Sequence, residues 1–362
     1  MKKQKIAVAM SGGVDSSVTS LLLKEQGYDV TGVIMQVWSG DASGEVKVNN
    51  SCYGPDEAED IASAQKTAKK IGVPLKVIDL RDEYQQEVLE YFKKEYAQGR
   101  TPNPCVKCNW KIKFGALLEK AKNVIPEMEY FATGHYVRVE YDPKVKRYLL
   151  KRGKDPLKDQ SYFLAFLKQE QLKHCLFPIG NFTKTEIKEK AKQLNLGLEE
   201  KAESQNFAAL GHESLLQNTS KPGNFIDESG KIIGKHRGVS YYTIGQRRGL
   251  GIAWAYPLYV IKIIPEDNTV ILGPKEKLFG SKLMATDVNW IAFEKLTESI
   301  EVTAKIRYVQ RETTATLTPQ PDGKLLVEFH EPQNAITPGQ IVVFYREDLL
   351  IGGGVILEAL NS

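Results

Sequence analysis

No run of eighteen apolar residues occurs in the 362-residue chain, which excludes a membrane-spanning helix. Cysteine is scarce. Cys52, Cys105, Cys108 and Cys175 are the only four, too few for a disulfide framework, and the expected setting is a reducing cytosol. The basic start, Met1 to Lys5, runs into a short apolar stretch, Ile6 to Met10, and then glycines; that reads as a first strand and not as a signal peptide. Internal repeats and low-complexity tracts are lacking. So is a strong charge of one sign: a net +4 permits an anionic partner without demanding one. With 42% hydrophobic and 26% charged residues, the composition is that of a soluble globular protein of two or three domains.

What is present is an ordered change of texture. KIAVAM, DVTGVIMQVW and VPLKVIDL read as strands, and EYFATGHYVRV as one further strand. Between them lie helical stretches at Ser16 to Gln26, with Val18, Leu21, Leu22 and Leu23 inward, at Ala58 to Lys70 and at Glu83 to Tyr96. Strands alternating with helices predict an α/β, doubly wound parallel sheet. Ser39 to Pro55, rich in Gly, Ser and Asn, reads as a mobile surface loop. After about Ser161 the pattern becomes helical, through SYFLAF and KTEIKEKAKQLNLG, with Ile187, Ala191 and Leu194 on one face, Thr183 or Thr185 as cap and Gly197 as stop. Short strands and glycine turns begin near Pro222, and the last stretch alternates strongly, which predicts a small β-barrel. The expected domains are 1–210, catalytic with a helical extension, 211–279, small and central, and 280–362, the barrel.

The sharpest motif is Ser11-Gly12-Gly13-Val14-Asp15-Ser16-Ser17, between a strand and a helix. Ser11 to Gly13 can turn backbone N–H groups toward an anion. Ser16 and Ser17 stand at the helix N-terminus, where the dipole favours phosphate. A P-loop would need Gly-Lys-Ser/Thr and a dinucleotide fingerprint G-x-G-x-x-G, and neither occurs. Gly134, after a later strand, fits the same nucleotide crevice.

The second motif is Gly99-Arg100-Thr101-Pro102-Asn103-Pro104-Cys105-Val106-Lys107-Cys108-Asn109. Two prolines in three residues block helix and present the cysteines on a braced loop. Arg100, Lys107, Lys111 and Lys113 are expected to favour thiolate over thiol. A structural zinc site would need two further ligands at comparable spacing, and no second C-x-x-C or H-x-x-x-H exists. A redox or sulfur-carrying pair is the better reading, with an iron–sulfur site behind it.

The first motif resembles the PP-loop of ATP pyrophosphatases, which cleave ATP between the α and β phosphates. That resemblance implies ATP contacts at Ala9, Met10, Ser11, Gly12, Gly13, Val14, Asp15, Ser16, Met35 (beside adenine) and Gly134, with Asp15 helping to hold Mg²⁺. Over nearly its whole length the chain further resembles the tRNA-specific 2-thiouridylases. The motifs are SGGVDSSV, GRTPNPCVKCN with KIKF, ATGHYVR, Lys158-Asp159-Gln160-Ser161-Tyr162-Phe163, the run Tyr242 to Gly251, and TPGQIVVFY. This resemblance implies adenylylation of the uracil O2 of the tRNA wobble uridine and attack by a cysteine persulfide. It implies Cys108 as nucleophile, Asn103, Pro104 and Cys105 around the target base, and tRNA contacts at Lys158, Asp159, Gln160, Arg307 and Tyr308. The partners it implies are tRNA and a sulfur donor (a cysteine desulfurase, a sulfur-relay protein or free sulfide), with no membrane.

Two departures stand out. Many relatives have Asp where this chain has Cys105. The family's second catalytic cysteine falls in a stretch that here reads Glu203-Ser204-Gln205-Asn206-Phe207-Ala208-Ala209-Leu210-Gly211, with Ala208 at the cysteine position. Alanine can neither hold nor resolve a persulfide. Three readings follow: Cys105 and Cys108 form the working pair, since adjacent thiols exchange readily; the pair ligates an iron–sulfur cluster, with Cys52 or an external group as third ligand; or the chain is a diverged paralogue that binds ATP and RNA and modifies another base or none. A non-catalytic RNA binder would be expected to show damage to one of the first two motifs. A PP-loop amide ligase needs neither the C-x-x-C nor an RNA-binding barrel.

Overall fold

The sheet grows from the short apolar run at the start of the chain. In the computed structural model, which describes residues 3–40, 51–193, 206–209, 211–216 and 221–360, that run is β1 (Lys5–Ala9). It leads into α1 (Val14–Glu25), β2 (Asp29–Gln36), β3 (Ser51–Tyr53), α2 (Glu57–Ile71) and β4 (Leu75–Asp79). Next, α3 (Arg81–Tyr84), a π-helical Gln85–Glu90 and α4 (Tyr91–Ala97) run on as one helix. So do α5 (Pro104–Lys107), a π-helical Cys108–Leu117 and α6 (Leu118–Val124). There follow β5 (Met128–Thr133), β6 (Val137–Asp142), β7 (Arg147–Arg152), α7 (Gln169–His174), β8 (Cys175–Leu176), α8 (Lys184–Gln193) and β9 (Asn206–Ala208).

The expected parallel sheet is there, in the order β4-β2-β1-β5-β8. Alternation along each strand feeds two apolar layers. Ile6, Val8 and Ala132 meet Val18 and Leu23 of α1, Ala68 of α2 and Ile187 and Ala191 of α8. Ala7 and Phe131 meet Tyr84, Val88, Phe92, Ile112 and Phe114 on the opposite side. Chain direction across the sheet reverses at β1. From β1 the chain moves outward to β2 and β4, then returns to add β5 on the other flank. The ends of β1 and β5 therefore bound the crevice where such sheets bind ligands.

Several expectations need correction. EYFATGHYVRV is two strands: β5 belongs to the parallel sheet, whereas β6 pairs antiparallel with β7, and β7 joins the barrel at Leu349↔Lys151. SYFLAF is not an extended helix; only a 3₁₀ turn, Ser161–Leu164, forms there. The Ser39 to Pro55 stretch contains β3, which pairs in parallel with β9, and residues 41–50 lie outside the described residues. Thr183 caps α8 through a reciprocal pair: its N–H donates to Glu186 Oε2 at 2.6 Å and its Oγ1 accepts from Glu186 N–H at 3.3 Å. Leu194 and Gly197, with Glu203, Ser204, Gln205 and Leu210, lie outside the described residues.

Beyond Pro222, β10 (Gly223–Ile226), β11 (Ile232–His236), β12 (Tyr259–Ile264) and β13 (Thr269–Gly273) make a four-stranded sheet with its own small core around Phe225, Val260 and Val270. The barrel comprises β14 (Phe279–Trp290), β15 (Ile300–Lys305), β16 (Thr313–Pro319), β17 (Leu325–Asn334), β18 (Ile341–Arg346) and β19 (Leu349–Leu360). Pairing of β14 with β19 closes its six strands. Its outer residues Ile341, Val343, Tyr345 and Leu350 share the core of the parallel-sheet domain, so the two are packed as one body. No helix among the described residues is long and apolar enough to cross a membrane.

Candidate active site

The first motif forms a tight anion cradle at the end of β1. Gly12 takes φ +71°, and a Cβ there would lie 3.0 Å from Asp60 O and 3.1 Å from Ala64 N of α2, so only glycine fits. Gly13 is the N-cap of α1 and carries no side chain to cap it, which leaves first-turn N–H groups open toward the crevice. The serines hold this turn: Ser11 N–H donates to Ser16 Oγ at 3.2 Å, and Ser17 Oγ donates to Gly13 O at 2.7 Å. Gly134 at the end of β5 lies directly against it, and a Cβ there would be 2.9 Å from both Asp15 C and Ser16 N. Ala9 ends β1, Met10 and Val14 are buried, and Met35 is half-buried against the main core.

Asp15 has partners that the sequence did not disclose. Lys184 Nζ donates to both carboxylate oxygens at 2.8 Å, and Tyr136 Oη donates to one at 2.8 Å. Lys184 opens α8 and lies 169 residues from Asp15. No spacing rule could have paired them. Gln160 belongs to the same construction, because its Oε1 accepts from Tyr136 N–H at 3.0 Å.

The cysteine motif is not a loop, as expected, but the start of a helix. Asn103 is its N-cap, accepting from Val106 N–H at 3.1 Å, and Pro104 occupies the first helical position, where proline loses no hydrogen bond. Cys105 lies in the first turn, and Cys108 begins the π-helical segment. The chain before it is clamped by the other two domains. Thr101 N–H donates to Pro338 O at 2.8 Å, and Gln340 Nε2 donates to Thr101 O and Pro102 O at 3.0 and 2.9 Å. Thr101 Oγ1 donates to Thr243 Oγ1 at 3.0 Å. TPGQ of the barrel and the Tyr242–Gly251 run thus meet on this one segment.

The expected thiolates are overturned. Burial pushes Cys105 up to about 11 and Cys108 up to about 12, and Lys113 only partly opposes it. Of the other cations, Arg100 is paired with Glu95 and Lys107 with Glu87, while Lys111 stacks over Trp110. Desolvation outweighs their attraction. Lys113 also acts on His135, whose burial holds it well below the usual imidazole range and hence neutral. Lys113 thus acts electrostatically both on the cysteine pair and on His135, just past the end of β5. Asn109 was missed as a candidate: its Nδ2 donates to Cys105 O at 3.0 Å, while its buried Oδ1 lacks a partner among the described residues. An orphaned buried acceptor costs about 1–3 kcal/mol, and a ligand donor would relieve it.

An iron–sulfur cluster does not fit these residues. The pair supplies two thiols, position 208 is a buried alanine, and among the described residues no three His, Cys, Asp or Glu side chains converge as a metal site.

The residues expected to touch tRNA are brought into one region. Tyr308 packs on Phe163 with ring centroids 4.5 Å apart, next to Tyr162. Arg307 donates to Ala335 O and Thr337 Oγ1, bracing the loop that clamps Thr101. Lys158 is half-buried at the surface turn. Asp159 is buried, accepting from Gly153 N–H, Ser161 N–H and Ser161 Oγ, and so shapes the turn from beneath. In the central domain, Trp254 and Tyr256 are 41% and 49% exposed around a hollow also lined by Arg247, which has no ion-pair partner among the described residues.

Residues 4–212 match the family described as tRNA methyl transferase HUP domain, 215–274 its PRC-barrel domain, and 280–356 the aminomethyltransferase beta-barrel domain. A tRNA-specific 2-thiouridylase MnmA of Acetivibrio thermocellus is 46% identical over 364 residues, covering 98% of this chain and 100% of that protein. Its namesake in Clostridium perfringens is 45% identical over 367 residues, covering 99% and 100%. MnmA 1 of Caldanaerobacter subterraneus is 48% identical over 360 residues, covering 97% of each. With all three segments matched in order, the chain belongs to the tRNA-specific 2-thiouridylase family.

Proposed function

We propose that this protein uses ATP to thiolate the wobble uridine of tRNA at position 2, in a cytosolic setting. The observation that carries the reading is the segment Thr101–Asn103. It leads directly into the cysteine pair and is gripped by motifs from the barrel and the central domain. A tRNA bound to all three domains would deliver its base there.

Phosphates of ATP would meet the open N–H groups of α1; Asp15 would hold the Mg²⁺ that neutralises them, and Lys184, released from Asp15, would pair with the phosphates. The nucleotide lies along Ala9 to Ser16, Met35 and Gly134. The uracil O2 bonds to the α-phosphorus and pyrophosphate leaves. This makes C2 electrophilic. The outer sulfur of a Cys108 persulfide attacks C2 and AMP departs. Cys105 then attacks Cys108 Sγ, forming the Cys105–Cys108 disulfide and expelling 2-thiouridine; a thiol reductant resets the pair. Asn103, Pro104 and Cys105 line the base. Lys158, Gln160, Arg307 and Tyr308 form the tRNA-facing region, with Asp159 supporting it.

The test supplies unmodified tRNA, Mg²⁺-ATP and a persulfide donor, and reads digested nucleosides by mass spectrometry. The expected result is 2-thiouridine at the wobble position, with one pyrophosphate per product and none from Cys108→Ala. ATP and tRNA binding without any 2-thiouridine would refute this reading and favour a paralogue acting on another base.

A further inference from the structure

Asp15 is held from two directions, and both holds lead to the same surface turn. On one side stands Tyr136, whose Oη donates to Asp15 Oδ1 at 2.8 Å. Its ring is buried in the apolar layer of α1 and α8. Gln160 pins its backbone twice: Tyr136 N–H donates to Gln160 Oε1 at 3.0 Å, and Gln160 N–H donates to Tyr136 O at 3.2 Å. On the other side stands Lys184. Its Nζ donates to both oxygens of Asp15, and its backbone N–H donates to Asp155 Oδ2 at 2.9 Å. Asp155 and Gln160 are the two ends of one turn.

That turn is stiffly built. Asp155 Oδ1 accepts from Leu157 N–H at 3.0 Å and Asp155 O from Lys158 N–H at 3.1 Å, while Asp159 Oδ1 accepts from both Gly153 N–H and Ser161 N–H. The start of α8 hangs from it as well: Lys154 N–H donates to Gly180 O at 2.8 Å, and Lys154 Nζ donates to Glu186 Oε1 at 2.9 Å. Its outer face is open, with Leu157 88% exposed next to Lys158. A ligand seated on Lys158 and Gln160 therefore acts on both groups that face Asp15. A Mg²⁺ ion on Asp15 acts in the opposite direction. Both carboxylate oxygens are engaged by Lys184, so the lysine must leave, and Tyr136 Oη then aims the carboxylate.

We propose that Tyr136 and Asp155 are positioning residues that couple the two substrates: tRNA on turn 155–160 holds Tyr136 and the start of α8 in the arrangement that receives Mg²⁺-ATP at Asp15, and each ligand tightens the other. The proposal rests on the reading above, in which tRNA meets Lys158 and Gln160 and ATP meets the loop from Ser11 to Ser16. The cost of ordering the shared unit falls on whichever ligand binds first, which makes the coupling positive. It is also reciprocal: tRNA tightens ATP by the same factor as ATP tightens tRNA.

The experiment titrates the full-length chain with Mg²⁺ and α,β-methylene-ATP by calorimetry, with and without saturating unmodified tRNA. The methylene bridge blocks cleavage, so binding alone is read. The parent should bind this nucleotide at least about fivefold more tightly with tRNA present, the lower end of the range for coupled sites. Tyr136→Phe keeps the buried ring and removes only the hydroxyl, and Asp155→Ala cuts the turn from Lys184. Each should bring the factor below about twofold. A purely structural role would weaken the nucleotide equally with and without tRNA. Retention of the parent's factor in either variant, or no factor in the parent, overturns the coupling. Failure of either ligand to bind the parent would sink the function proposed above together with this one; two ligands that bind independently would sink only the coupling.

Discussion

Alkylation of Cys108 tests whether burial or nearby positive charge controls the thiol proposed as nucleophile. Its ordinary value near 9 is pushed up to about 12 by desolvation. At pH 7.5 the thiolate fraction then falls about a thousandfold. Nucleophilicity rises with basicity along a Brønsted slope of about 0.4–0.5 and recovers roughly 15- to 30-fold, so ionisation alone slows the reaction about 30- to 60-fold. Limited access to solvent slows it further. The assay is an iodoacetamide time course on native protein, read by peptide mass spectrometry against the same cysteine in guanidinium-unfolded chain. The native rate should climb about tenfold per pH unit from 7.5 to 9.5 without a plateau. A native rate within threefold of the unfolded one, levelling below pH 9, would show that Lys113 and the helix N-terminus win and that the burial argument is wrong. The sign for stability follows. Since the folded value lies above the unfolded one, the stabilisation is complete below pH 9 and is lost as pH rises from about 9 toward 12; the urea midpoint should fall across that window.

Gly134→Ala places a methyl 2.9 Å from the backbone of Asp15 and Ser16; the overpacking, about 1–3 kcal/mol, should weaken ATP binding roughly 5- to 150-fold by calorimetry, and an unchanged affinity would refute the close approach of β5 to the loop. Lys184→Met leaves Asp15 with Tyr136 alone. Loss of a charge-assisted contact, about 1.5–3 kcal/mol, should lower tRNA-dependent pyrophosphate release about 10- to 150-fold, and near-normal release would exclude the lysine from the phosphate site. Trp254→Ala should weaken tRNA binding about 5- to 150-fold if a base stacks on the exposed ring, since such stacking contributes about 1–3 kcal/mol; filter-binding affinity within twofold of the parent would dismiss that surface. Across the intact protein, tRNA affinity should drop steeply with salt, and a flat salt titration would argue against phosphate contacts by Lys and Arg.

The first motif was legible because its instructions are local. Gly12 must take a positive φ, Gly13 must begin a helix without a side-chain cap, and Ser16 and Ser17 close the turn through neighbours within five residues. The alternation of Ile6, Ala7 and Val8 likewise announces a strand buried on both faces. The cysteine segment was misread for a local reason of another kind: two prolines were taken to forbid a helix, but with Asn103 as cap the second sits where proline is tolerated. The split of EYFATGHYVRV was hidden because only Gly134, His135 and Tyr136 separate β5 from β6, and only their partners, β1 in one case and β7 in the other, tell them apart.

By itself, then, the sequence determined the family, the α/β class, the tight turn after β1 and the pairing of Cys105 with Cys108 on one short segment, since each depends on residue type at short spacing. Tertiary structure alone decided the rest. It brought Lys184 to Asp15 and β3 to β9, set TPGQ against Thr101, and buried Cys108 deeply enough that desolvation overrides the lysines around it. Ionisation and through-space pairing depend on what the folded chain excludes and brings together, and no local spacing records that.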